Sequence, residues 1–240
     1  MKYVKVFEDK FDKGILDKKK WKIENKGGGF GNWEKQYYSD RDINVDLSCG
    51  FLKLISRKEK FKGHEYTSGK IISYPNQLFR FGKIEIEAIL PKGVGTWPAI
   101  WLLGVAYEKK IKWPLCGEID IMEHVGHNPN QIHVSLHSKN RNFKNPEKNE
   151  LTATSKIDKP MEKKHVYGIT WSHGSITFTI DGKELVTYKD STGKYEDWPF
   201  NEDFYLIINN AVGGAWGGPV NDSDLPSEFK IFRVTYYKEI

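Results

Sequence analysis

Apolar and polar residues alternate with a period close to two over much of the chain. The pattern is clearest in KIEIEAIL (83–90), SITFTI (175–180), FYLIINNAV (204–212), FKIFRVTYY (229–237) and FLKLISRK (51–58). Side chains of a β-strand alternate faces, so this period predicts strands that lay one face on a core. Turn signals separate them: GGGFGN, SCG, PKGVG, GHNPN, DGK and GGAWGGP. SCGFLKLI and TFTIDGKELV read as hairpins, the second closed by an Asp-Gly turn. No segment has the stripe and caps of a long amphipathic helix. Many short strands with regular turns predict an all-β antiparallel sandwich or barrel. The polar stretch SKNRNFKNPEKNELTATSK (138–156) is expected to be a long surface loop.

Composition adds limits. The 240 residues are 38% apolar and 14% aromatic, enough for a sizeable core with aromatic rings to spare. No internal repeat or linker divides them, so residues 1–240 are expected to form a single domain. No apolar run reaches the length of a membrane span, so no membrane partner is expected. The start, MKYVKVFEDKF, lacks the apolar stretch of a signal peptide. The net charge of +5 comes from lysines scattered among acids, as in DKKKW and EKKIKW. A nucleic-acid surface gathers its basic residues on one stripe, so no such partner is expected. Cys49 and Cys116 form no metal pattern or disulfide framework; two free thiols are expected, with a single bridge as the alternative.

One stretch resists the simple pattern. GEIDIMEHVG (117–126) places Glu118, Asp120 and Glu123 among Ile119, Ile121, Met122 and Val125. Like charges crowded into a partly buried strand are costly unless they are paired or share protons. Glu118 and Asp120 share a strand face by alternation, whereas Glu123 falls on the other. A β-bulge near Ile121–Met122 restores Glu123 to the face of the other two. The outer Cα atoms then lie roughly 13 Å apart if the strand is fully extended. Convergent side chains can shorten that gap to the ~5–5.5 Å of a retaining glycosidase.

That chemistry has a use for each acid. One glutamate attacks the anomeric carbon; the other protonates the leaving oxygen and then activates water. Asp120 between them can hydrogen-bond the nucleophile and hold a shared proton, and crowding raises the proton affinity of the cluster. Spacing alone also fits a solvated polar face or a divalent-ion site. The neighbourhood favours sugar chemistry. Trp97 and Trp101 lie four apart on a strand, Trp113 just before the acids, and Trp216 in a Gly-rich loop. Aromatic faces suit the C–H faces of pyranose rings.

GEIDIMEH resembles the bulged E-x-D-x-x-E signature of glycoside hydrolase family 16, most closely its laminarinase-type endo-β-1,3-glucanases. The resemblance extends through GNWEKQYYSDRDINVDLSCGFLKLISRKE, YTSGKIISYPNQLFRFGKIEIEAILPKGVGTWPAIWLLG, QIHVSLHS and FYLIINNAVGGAWGG. It implies a β-jelly roll of two curved antiparallel sheets with a concave substrate cleft. It implies Glu118 as nucleophile, Asp120 as assisting acid and Glu123 as acid/base. It assigns substrate binding to Trp97, Trp101 and Trp113 on the donor side and to Trp216 toward the acceptor side. His137 is implied to face the acids, with His133 and Ser135 sharing its face, and Asn44 and Asn209 are implied as polar residues near the cleft.

Three positions depart from the family pattern. Asn210 stands where relatives carry an apolar residue, and GGAWGG replaces the usual GG-x-W-P-G. Ile231 stands where many members carry an aspartate for a structural calcium, so no cofactor or metal is expected. The resemblance implies a secreted or cell-surface monomer that is a retaining endo-β-glucanase on β-1,3-glucan or mixed β-1,3/1,4-glucan. It leaves two alternatives, a family 16 hydrolase of galactan and a non-catalytic glucan-binding jelly roll.

Overall fold

The period-two segments pair into two sheets whose apolar faces meet. The computed structural model describes residues 2–145 and 151–240. Among the described residues, one sheet has seven strands, ordered Leu151–Lys156, Gln131–His137, Glu118–Glu123, Thr96–Gly104, Phe204–Val212, Lys70–Ile72 and Lys22–Ile23. The other has ten, built around Gly82–Ile89 and Ser227–Glu239, with Leu52–Phe61 and His165–Ser172 as their outer neighbours. Pairing is antiparallel except between Gln36–Tyr38 and His64–Ser68. The arrangement is a β-jelly roll.

Alternation decides what each face of the seven-stranded sheet holds. Ile100, Leu102, Ile119, Ile132, Val134, Leu136, Leu206 and Ile208 point into the main core, where they meet Ile84, Ile86, Phe229 and Val234 of the ten-stranded sheet. The residues between them face away from that core. Asn210, the polar residue at an apolar family position, ties the two sheets together. Its Nδ2 donates to the carbonyls of Leu54 and Ser227 at 3.3 and 3.4 Å, and its own carbonyl accepts from Ser68 Oγ.

The Asp-Gly hairpin forms as its sequence dictates. Asp181 and Gly182 both have positive φ, 52° and 73°, the pairing a two-residue turn needs to match strand twist. Val45–Asp46 folds back on Leu52–Phe61 as the SCG turn predicts. Both cysteines are free, Cys49 exposed and Cys116 buried.

One expectation is corrected. The polar stretch 138–156 is not all loop, because Leu151–Lys156 pairs along Gln131–His137 as an edge strand. Its alternate residues Leu151 and Ala153 pack on the core, while Thr152 accepts a hydrogen bond from Ser135 Oγ at 3.1 Å. Residues 146–150 of that stretch lie outside the described residues. Ile231 is fully buried in the core, so its side chain offers a cation only hydrocarbon.

Candidate active site

The register of the acidic strand places its carboxylates. Glu118 pairs with His137, Ile119 with Leu136 and Asp120 with Ser135; the next pair is Glu123 with His133. Ile121 and Met122 therefore oppose Val134 alone, which is a β-bulge. The pairing to Thr96–Gly104 shifts at the same place. Both bulge side chains enter the core. The result is that Glu118, Asp120 and Glu123 all line one cleft on the face away from the core.

The neighbouring strands furnish the cleft. Trp97, Ala99, Trp101 and Leu103 alternate onto it from Thr96–Gly104, and Asn209 and Ala211 do so from Phe204–Val212. The Trp97 indole N–H donates to Glu123 Oε1 at 3.1 Å, and that of Trp101 donates to Asn209 Oδ1 at 2.7 Å. Trp113 lines the cleft beside Glu118, its ring centroid 6.0 Å from that of His137.

His137 Nε2 lies 3.2 Å from Asp120 Oδ2 and 3.9 Å from Glu118 Oε1. The alignment is not that of a hydrogen bond, and Asp120 Oδ2 is buried without a donor. Such an oxygen calls for a proton of its own or a charged neighbour. Burial pushes Asp120 up to about 8. Burial likewise pushes Glu123 up to about 8, aided by the Asp120 charge and opposed by His137 and the Trp97 N–H. Burial, then the Asp120 charge, holds Glu118 well above the ordinary carboxylate range. The cluster thus retains protons near neutral pH and titrates as a unit. Oxygens of Glu118 and Asp120 and a nitrogen of His137 also lie within 4.8 Å of one another, close enough to hold a divalent ion. An ion there would compete with those protons.

Not every residue expected at the site lies in it. Asn44 is the clear exception and is corrected to a structural position. It is fully buried, its Nδ2 donating to Ile55 O at 2.9 Å and Thr67 Oγ1 at 3.0 Å, and its Oδ1 accepting from Arg41. Trp216, on the single helical turn Gly214–Gly217, packs against Trp97 of the cleft wall. It stands edge-on to Trp97, with centroids 5.5 Å apart, and to His133 at 4.8 Å. His133 contacts that ring rather than the acids.

Other residues also line the cleft and the groove that continues from it. Glu34 is a fourth carboxylate at the cleft; it accepts from Gln36 Nε2 at 2.6 Å and Tyr38 OH at 3.3 Å, and burial raises its pKa. Glu34, Gln36 and Tyr38 fall two apart, so a polar strand face was the available signal. Lys70 is 8% exposed, its ammonium ringed by Phe30, Tyr38 and Trp101 at 4.8, 5.5 and 5.7 Å. Tyr107, Phe143 and Lys144 complete the rim.

Known proteins share this architecture. The family described as glycosyl hydrolases family 16 matches residues 32–225. The chain is 37% identical to a beta-glucanase of Rhodothermus marinus, over 97% of this chain and 84% of that protein. The crystal structure of the laminarinase from Rhodothermus marinus superposes with a TM-score of 0.93 at 33% identity, covering 100% of this chain and 98% of that one. That of the laminarinase from Flavobacterium sp. UMI-01 gives 0.89 at 35% identity, covering 98% and 100%. By sequence and by fold, this chain belongs to glycosyl hydrolases family 16.

Proposed function

We propose that the protein is a retaining endo-β-1,3(4)-glucanase. The observation that carries the reading is the bulge, which sends Glu118, Asp120 and Glu123 to one cleft while Ile121 and Met122 go to the core. The names of the similar glucanase and laminarinases support β-glucan as substrate.

Glu118, ionised, attacks the anomeric carbon as the bond to the leaving oxygen breaks. Glu123 gives that oxygen its proton, leaving a glycosyl ester on Glu118. The Glu123 carboxylate then takes a proton from water, whose oxygen displaces Glu118 from the same carbon. Two inversions retain the β-configuration. Asp120, between the two glutamates, shares the proton of the acid cluster, so that one glutamate can ionise while the other stays protonated. Trp97, Trp101 and Trp113 supply apolar faces to the sugar rings.

A galactan bearing sulfates would need a cleft with excess positive charge. The stretch of groove around Lys70 instead balances Lys22, Lys26 and Lys70 against Glu24, Glu34 and Glu108, which favours a neutral chain. Reducing-sugar release from laminarin, barley glucan and agar tests the reading. Release from laminarin or barley glucan, with β-anomer appearing first by proton NMR, is expected. Release from agar alone, or binding of laminarin without cleavage, rejects it.

A further inference from the structure

Phe143, on the cleft rim, takes no part in the double displacement. It is 51% exposed, and a lone exposed phenylalanine ordinarily needs no explanation. Its setting does. Phe143 lines the same cleft as Glu118 and Trp113. Its ring centroid lies 5.4 Å from that of Trp113, with the planes inclined by 38°, and its other neighbour is His137, edge-on at 5.8 Å. The three rings form one surface at the Glu118 end of the acid row, as Trp97 and Trp216 do at the Glu123 end.

The loop that carries Phe143 is bonded on both sides of it. Asn142 is buried; its Nδ2 donates to Ser138 O at 3.0 Å and Lys139 O at 3.2 Å, and its Oδ1 accepts from Lys144 N at 3.0 Å. Ser138 N donates to Arg141 O at 2.8 Å. Asn140 ties the loop to the neighbouring turn, donating from its backbone to Glu196 O at 3.0 Å and from Nδ2 to Asp197 Oδ1 at 2.9 Å. An aromatic ring held out by such a loop is already ordered before a ligand arrives, which lowers the entropic cost of binding. Lys144 Nζ stands 5.0 Å from the Trp113 ring and 5.6 Å from that of Phe143, a donor placed over two apolar faces.

We infer that Phe143 is a sugar-binding residue, forming with Trp113 a two-ring platform for one glucose unit of the bound chain, with Lys144 as donor to its hydroxyls. The inference rests on the β-glucan reading and deepens it. A pyranose ring presents C–H groups to the ring faces and hydroxyls at its rim, which is the complement of this surface. Among the described residues Lys144 is the one lysine or arginine lining this cleft, which suits a neutral sugar.

The test uses the full chain carrying Glu118→Gln, so that the ligand is bound and not cut. Calorimetric titration with laminarihexaose is compared among this parent and its Phe143→Ala and Phe143→Trp derivatives. Binding by Phe143→Ala is expected to weaken about three- to tenfold, on the scale of an aromatic contact, and Phe143→Trp to bind at least as tightly as the parent. In the active protein, Phe143→Ala should raise KM for laminarin by a similar factor, because a platform holds ground state and transition state alike. Melting temperatures should stay together. Equal affinity in the parent and Phe143→Ala overturns the inference alone. Weak binding in both derivatives with a lowered melting temperature also overturns it, since the ring is then a structural prop. A parent that binds no β-glucan overturns the inference together with the reading it rests on.

Discussion

Trp97 donates its indole N–H to Glu123 Oε1 at 3.1 Å, and its ring is braced edge-on by Trp216. One side chain therefore both walls the cleft and lowers the proton affinity of an acid. The N–H favours the carboxylate, against the burial that favours the protonated form. In Trp97→Phe that opposition is gone, so Glu123 should hold its proton to higher pH. The alkaline limb of kcat/KM is expected to move up by roughly half to one pH unit, the equivalent of a ~1 kcal/mol hydrogen bond. A limb that stays put or moves down means that Glu123 is not the group titrating there.

The two glutamates should fail differently. Glu118→Gln is expected to fold, to bind oligosaccharide and to lose turnover by several orders of magnitude. Glu123→Ala, given a substrate whose leaving group needs no proton, should still form the glycosyl ester and then stall for want of a base. Azide needs no base and should restore turnover as a β-glycosyl azide. An α-azide, or azide rescue in the Glu118 variant with none in the Glu123 variant, would exchange the roles.

The acid cluster should be a burden on stability that grows with pH. Asp120 and Glu123 are both held at about 8, against ordinary carboxylate values of ~4. A carboxyl with a raised folded-state pKa binds more protons folded than unfolded, so stability falls as pH rises. The penalty is absent below about pH 4 and complete above about pH 8, the window set by those values. Glu123→Gln removes one such group. Urea unfolding should find this variant level with the parent near pH 4 and more stable at pH 8, on the order of 1–3 kcal/mol after allowance for proton sharing. A gap that narrows with rising pH contradicts the argument.

Asn44→Ala separates the scaffold from the site. The substitution strips Ile55 O and Thr67 Oγ1 of a buried donor and Arg41 of an acceptor. It should cost about 1–3 kcal/mol of stability. Activity per folded molecule at a temperature well below unfolding should match the parent. A raised KM with unchanged stability would return Asn44 to the cleft.

Much of this geometry was legible because period and count are enough to read it. Ser175–Ile180 and Phe204–Val212 have the bounds that their alternation and turns predict. Three acids in six positions required an extra residue for a common face, and the register supplies it at Ile121–Met122. Trp97 and Trp101, four apart, share the cleft wall. The failures have a common physical origin. Leu151–Lys156 is an edge strand with one face in solvent, so Thr, Ser and Lys hide its period. Asn44 is polar because it satisfies buried backbone and hydroxyl groups, and sequence does not distinguish that from polarity at a cleft. Phe143 and Lys70 meet their ring partners only through the tertiary fold.

The bulge also sets which changes of length the acidic strand can survive. Removing one codon, that of Ile121 or of Met122, leaves Glu118, Asp120 and Glu123 separated by single residues. That spelling alternates evenly and still turns all three acids outward, at the cost of one buried side chain. Removing Ile119 instead, or adding a residue between Glu118 and Asp120, drives an acid into hydrocarbon. A one-residue change of length within this strand is therefore tolerable only between Asp120 and Glu123, where a loss or a gain alike restores even alternation.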